Sequence, residues 1–161
     1  MIDKYVDINY SAPVSSAKML TYETTFMVKD RCLCLQVQRA ARALARRFDE
    51  ELRPFELTNG QFSLLMSLNR PEPPSMGPVA SLLAMDRTTL TAALKPLQRR
   101  SLVKIENDPG DRRSRILILT DKGRNLLTRA LPVWQRTHEE IEKLVTGVDW
   151  DSLRKNLRAI S

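Results

Sequence analysis

The sequence predicts a mainly helical chain that carries a helix-turn-helix followed by a two-stranded β-hairpin, and three observations lead there. Apolar residues recur at steps of three and four along most of the chain, the mark of helices with one buried stripe. Two such stretches, residues 79–83 and 90–97, are separated only by a short turn at Met85 and Asp86, as in a helix-turn-helix. Directly after them, residues 103–106 and 115–119 flank the turn-forming run Asn107-Asp108-Pro109-Gly110-Asp111, the pattern of a hairpin with a long tip.

Each element has its own local signal. Residues 1–29 hold Tyr5, Tyr10, Tyr22 and Pro13 with no sustained apolar period, and read as an arm, loosely ordered or wrapped on a dimer partner. From Asp30, the positions Cys34, Val37, Ala41, Leu44 and Phe48 trace one helical stripe that Pro54 closes. Thr58-Asn59-Gly60-Gln61 has the form of a capping box, with Leu57 and Phe62 placed as a hydrophobic staple. The helix it starts turns Phe62, Leu65 and Met66 inward. Residues 69–75 are too rich in proline to be helical and form a connector. Pro78 suits the first turn of the next helix, Asp86 caps the one after it, and Leu90, Leu94 and Leu97 form that helix's buried row to about Arg100. Thr120 caps a long helix with Leu127, Leu131, Trp134, His138, Ile141 and Val145 on one seam and a kink expected at Pro132. Trp150, Leu153, Leu157 and Ile160 share one face of a last short helix, and no internal repeat is present.

At 161 residues the chain is about one domain long. Its 26 Lys/Arg against 19 Asp/Glu give a net charge of +7, and 42% hydrophobic residues exclude general disorder. No apolar run approaches the roughly 18 residues that cross a bilayer, and the N-terminus lacks a basic segment followed by an apolar one, so a cytoplasmic protein is expected. Two cysteines and one histidine exclude a disulfide scaffold and a zinc cluster. No glycine-rich phosphate loop is present, and His138 has no neighbouring nucleophile to serve. The chain is therefore not expected to be an enzyme, and no catalytic residue, metal or cofactor is expected.

Charge is concentrated: between residues 86 and 124 lie ten Lys/Arg against five Asp/Glu, so +5 of the +7 falls on the helix-turn-helix and hairpin. A positive surface of this kind draws polyanions by counterion release. Arg87, Thr88, Thr89, Thr91 and Lys95 occupy the first turns of the second helix, where side chains reach base edges or phosphates. Arg112, Arg113 and Arg115 surround the hairpin tip, a shape suited to the minor groove. Asp111, misplaced against phosphate, is expected to pair with a neighbouring arginine.

The residues Val79-Ala80-Ser81-Leu82-Leu83-Ala84-Met85-Asp86-Arg87-Thr88-Thr89-Leu90, Leu97-Gln98-Arg99-Arg100-Ser101-Leu102-Val103, Asp108-Pro109-Gly110-Asp111-Arg112-Arg113 and Leu119-Thr120-Asp121-Lys122-Gly123 resemble the winged helix-turn-helix of MarR-family transcriptional regulators. The resemblance implies a mainly α fold with a two-stranded β-wing and a helical dimerisation region. It divides residues 30–161 into dimerisation helices (30–57 and 120–161) and a winged lobe (58–119). It further implies a homodimer on double-stranded DNA at an inverted-repeat operator, a repressor released by a small phenolic or aromatic effector. Ser101 departs from the family, which usually has glycine there to end the recognition helix in a left-handed turn.

Cys34 occupies the position at which the organic-hydroperoxide-sensing branch of the family carries its reactive cysteine. Phe48 and Asn59 stand where that branch places tyrosines, so Cys34 is read as a small apolar residue of the core. The alternative readings are a thiol-based organic-peroxide sensor with Cys34 as the redox residue, and a winged-helix protein-interaction module without DNA binding. Retention of Arg87, Lys95 and the hairpin arginines speaks against the latter.

Overall fold

The computed structural model describes residues 20–111 and 113–160, which divide into two units between Arg39 and Ala40. In the first, α1 (Tyr22–Arg31) ends at Cys32, whose extended backbone (φ −70°, ψ 100°) precedes α2 (Leu33–Leu52). This corrects the expected loose arm. Residues 1–19 lie outside the described residues, but 22–29 are helical. Local signals suffice: the Thr21 hydroxyl accepts the Thr24 amide at 3.4 Å, Glu23 lies in the first turn, and Lys29 and Arg31 lie in the last. The Tyr22 and Phe26 rings meet edge to face at 4.6 Å, four residues apart. No residue of α1 is buried, which is why no apolar period announces it.

The second unit continues from α2 through a 3-10 turn (Arg53–Phe55) into α3 (Asn59–Ser67), α4 (Met76–Leu82), α5 (Arg87–Arg99), the antiparallel pair β1 (Val103–Asn107) and β2 (Arg115–Leu119), α6 (Asp121–Leu144) and α7 (Trp150–Arg158). The capping box forms as its sequence dictates: Thr58 Oγ1 accepts the Gln61 amide at 3.2 Å, and Gln61 Oε1 accepts the Thr58 amide at 3.1 Å. Leu57 and Phe62, the staple pair, are both buried. The core is a leucine mass from α2, α3, α5 and the hairpin, in which Leu52, Leu65, Leu90, Leu94, Leu97 and Leu117 are fully buried. Leu64 is buried as well, so α3 is apolar on more than the one face the pattern predicts.

Along α6 the seam is aromatic. Trp134 stacks on Phe62 (6.0 Å between centroids), Phe48 (6.3 Å) and His138 (5.0 Å). Ion pairs Arg47–Glu140 (2.9 Å) and Arg136–Glu51 (3.1 Å) fasten α6 to α2. The helix runs through Pro132 as one element, and Arg154 of α7 bridges to Glu142 and, at 3.2 Å, to His138. Leu153, Leu157 and Ile160 nevertheless remain exposed, as do Leu44, Leu144 and Val145.

Three joints are closed by left-handed residues that are not glycine: Glu56 (φ 53°), Ala84 (φ 49°) and Ser101 (φ 57°). At the end of α5 the Ser101 amide bonds to the Gln98 carbonyl (2.8 Å) and the Leu102 amide to that of Leu97 (2.9 Å). That is the full Schellman closure, with Leu97 and Leu102 buried beside it. Ser101 thus adopts the turn for which glycine was expected. Ala84 repeats the arrangement between α4 and α5, with Met85 bonded to Ala80 at 2.9 Å and Ala84 to Ser81 at 3.1 Å.

Candidate nucleic-acid interface

The start of α5 is set by Asp86, whose Oδ1 accepts the Thr89 amide at 2.8 Å while the Thr89 hydroxyl donates to Oδ2 at 2.7 Å. That hydroxyl bond, followed by the amide bond, holds the Asp86 carboxyl below the usual carboxylate range. Thr91 turns its hydroxyl back to the Arg87 carbonyl at 2.7 Å. Two of the three threonines therefore bond to the cap or the backbone of their own helix. All of Arg87, Thr88, Thr89, Thr91 and Lys95 are exposed, while Leu90, Leu94 and Leu97 are not.

The wing is anchored on its core face. Val103 pairs with Leu119 and Ile105 with Leu117, leaving Lys104 and Arg115 outside. A third piece of extended chain joins it. Ser75 bridges to Ile116, and the Leu117 amide donates to the Pro74 carbonyl at 2.9 Å. This contact ties the proline-rich connector, and with it the start of α4, to β2. At the tip, Asp108 Oδ1 accepts the Gly110 amide (2.8 Å), and the Ser114 amide donates to the Asp111 carbonyl (2.8 Å). Asp111, expected to pair with a neighbouring arginine, accepts the Arg113 backbone amide with its carboxylate at 3.0 Å; among the described residues it has no ion pair, and Arg112 lies outside them. A short carboxylate two residues from a turn amide closes an Asx turn more readily than it reaches a mobile guanidinium.

Arg87 and Thr91 of α5 line one cleft of about 530 Å³ together with Arg113 and Arg115 of the wing. Thr88, Thr89 and Lys95 lie on α5 outside this cleft, and Arg112 lies outside the described residues. Ser75 and Ser114 also line it, and sequence reasoning missed both. The only signal for them was their place beside Pro74 and inside the arginine run. The cleft gathers three guanidinium groups against the single carboxylate of Asp111, so its lining is net positive.

Cys34 is also a correction. It is exposed rather than core-filling, with Gln38 Nε2 donating to its Sγ at 3.2 Å, and Cys32 is the more covered of the two. Farther along α2, Phe48 and Leu52 are buried in the leucine core of the second unit. Among the described residues no three His, Cys, Asp or Glu side chains cluster to hold a metal, and no helix is long and apolar enough to cross a membrane.

A cavity of about 340 Å³ lies away from the basic cleft, between α3, α4 and α6. Phe62, Met66, Leu83, Leu131 and Trp134 line it, with Ser63 and Ser67 as polar groups. Its volume falls within the range of small-molecule sites.

Comparison with known proteins gives a consistent picture. The MarR family model matches residues 57–114. The HTH-type transcriptional regulator TtmR of Methylorubrum extorquens is 38% identical over 97 residues, 60% of this chain and 50% of TtmR. The chain thus spans about half the length of that curated relative. The crystal structure of the M. tuberculosis transcriptional regulator MosR in complex with DNA superposes with a TM-score of 0.73 at 35% identity, covering 81% of this chain and 93% of MosR. The transcriptional repressor CouR bound to a 23-mer DNA duplex gives a TM-score of 0.73 at 31% identity, covering 83% of this chain and 94% of CouR.

Proposed function

Because the chain belongs to the MarR family, we propose that it is a sequence-specific DNA-binding transcriptional regulator, a cytoplasmic repressor released from its operator by a small aromatic or phenolic ligand. The observation that carries this reading is the cleft shared by Arg87 and Thr91 with Arg113 and Arg115. A strand of duplex DNA entering it meets the recognition helix on one side and the wing on the other. Thr88, Thr89 and Lys95 extend the contact along the major groove, and Arg112 adds a third arginine to the tip. The reading gives the chain no enzymatic role.

The exposed Leu44, Leu144, Val145, Leu153, Leu157 and Ile160 support a homodimer. Residues 30–57 and 120–161 form its dimerisation part, and 58–119 form the DNA-binding lobe. Two recognition helices related by a two-fold axis enter successive major grooves, so the operator is an inverted repeat with half-sites about 10 bp apart. The apolar cavity walled by Phe62 and Trp134 suits an aromatic effector, since both rings line it and offer apolar contact to a planar ligand. It touches α4 through Leu82 and Leu83, so an occupant acts on the element that precedes the recognition helix.

Salt titrations of Arg87→Ala and Arg113→Ala on operator and random DNA test the reading. A bidentate arginine–guanine contact is worth about 1–3 kcal/mol of discrimination, so loss of Arg87 flattens the preference between the two DNAs. Loss of Arg113 weakens both equally and lowers the salt slope by about one unit per subunit. Wild-type affinity in both variants refutes the interface. A second reading, release by organic peroxide through the Cys34 thiol, draws on the exposure of that side chain.

A further inference from the structure

The C-terminal end of α5 opens on a second basic cleft, of about 560 Å³, that the DNA-binding reading leaves unused. Arg100, Lys122 and Arg129 supply three cations to its lining and Glu56 one carboxylate, with Asn125 and Leu126 between them on α6. Arg100 is the structural member. Its guanidinium donates to the Glu56 carbonyl and, at 3.2 Å, to the Phe55 carbonyl, and Nη2 lies 3.5 Å from Glu56 Oε2. It is 29% exposed, whereas the Glu56 side chain is 85% exposed and so a weak counter-charge. Arg129 lies over the Phe55 ring at 5.9 Å, a contact that orients the guanidinium without neutralising it. Among the described residues neither Lys122 nor Arg129 has a carboxylate within ion-pair distance. Lys122 and Asn125 also stand in the first turns of α6, whose positive end adds to the field.

We infer that this cleft is a binding site for a small phosphate-bearing anion, held by Lys122 and Arg129 and competing with Glu56 for Arg100. Three cations converging on one cavity of small-molecule size, with one solvated carboxylate among them, match a multiply charged ligand better than a singly charged one. The site is separate from the DNA cleft. Arg87 and Arg100 stand at opposite ends of α5, about 20 Å apart at 1.5 Å per residue. An occupant that draws Arg100 from Glu56 alters the joint that fixes the end of the recognition helix to the turn before α3.

Isothermal titration of the full chain with inorganic pyrophosphate and with ADP, at constant ionic strength, tests the inference. The wild type binds pyrophosphate, and the double variant Lys122→Ala/Arg129→Ala binds it about tenfold more weakly. Glu56→Gln, which removes the competitor while keeping its size, binds more tightly. The triple variant Arg87→Ala/Arg113→Ala/Arg115→Ala binds as the wild type does, which locates the anion away from the DNA cleft even if the DNA-binding reading fails. Equal affinity for the two probes assigns the site to phosphate groups alone, and tighter binding of ADP assigns it to a nucleotide. No binding by the wild type, unchanged binding by the double variant, or loss of binding in the triple variant overturns the inference.

Discussion

Replacing Gly123 by alanine sets a gain in helix propensity against a collision with the backbone. Gly123 lies in the first turn of α6, where a Cβ would stand 2.4 Å from the Leu102 carbonyl oxygen and 2.7 Å from Leu119 Cδ1. Ordinary contact begins at 3.4 Å, so the helix and the strand entry must part by about 1 Å. That oxygen is already engaged, accepting the Thr120 amide and the Thr120 hydroxyl, each at 3.1 Å, and a shift of this size weakens both bonds. Crowding a packed site costs about 1–3 kcal/mol, the weakened bonds add about 1 kcal/mol, and propensity returns up to about 1 kcal/mol. The net loss is about 2 kcal/mol, or a fall in melting temperature of about 4–8 °C for a chain of this size. Thermal unfolding followed by circular dichroism at fixed protein concentration measures it. Gly60→Ala is the control, because its Cβ meets nothing nearer than Thr58 Oγ1 at 4.0 Å, and that variant should match or exceed the wild type. A Gly123→Ala protein as stable as Gly60→Ala would refute the close approach of α6 to the wing.

The other caps and joints give further expectations. Thr58→Ala removes one half of the capping box and costs about 1 kcal/mol by denaturant unfolding, and Gln61→Ala added to it costs less than it does alone. Ser101→Gly relieves a left-handed serine and raises stability by about 0.5–1 kcal/mol, with DNA affinity unchanged. Because Asp86 titrates below the usual carboxylate range when folded, its capping contribution is complete above about pH 4 and is lost as pH falls through the lowered value. Acid unfolding of Asp86→Asn, which keeps a cap but no charge, should therefore be less steep than that of the wild type. Cys34→Ser should leave release from DNA by an organic hydroperoxide no different from the wild type in an anisotropy assay, and a response that only the wild type shows would move the trigger to the thiol.

Those elements were legible in the sequence whose determinants lie within four residues of one another. Thr58 and Gln61, Asp86 and Thr89, and Thr120 and Gly123 each form the cap their spacing dictates, because a side-chain oxygen and an amide three residues on meet whatever the rest of the chain does. The hairpin was legible for the same reason, its polar tip falling between two short apolar runs. The left-handed joints at Glu56 and Ala84 were not, since neither residue type favours that conformation and only the packing of helices on both sides requires it. The helix of α1 escaped notice because a helix with no buried residue leaves no apolar period to read.

The candidate sites divide along the same line. Charge counted along the chain places Arg100 and Lys122 in the same basic stretch as Arg87, Arg113 and Arg115. The fold separates them, because α5 carries Arg87 at its start and hands Arg100 to the turn before α3, where Lys122 of α6 also arrives. Five of the ten cations between residues 86 and 124 are thus split between two basic clefts, Arg87, Arg113 and Arg115 in one and Arg100 and Lys122 in the other. The contact of Ser75 with Ile116 decides the shape of one, and the hold of Arg100 on Phe55 and Glu56 decides the shape of the other. Both contacts join residues more than 40 positions apart, beyond what periodicity or spacing registers. If the two clefts are independent, the Lys122→Ala/Arg129→Ala protein keeps the salt slope of wild-type DNA binding, because neither cation meets a phosphate of the duplex. A slope lowered by about two units per subunit would instead merge them into one continuous DNA-binding surface, and the titration used for Arg113 distinguishes the two results.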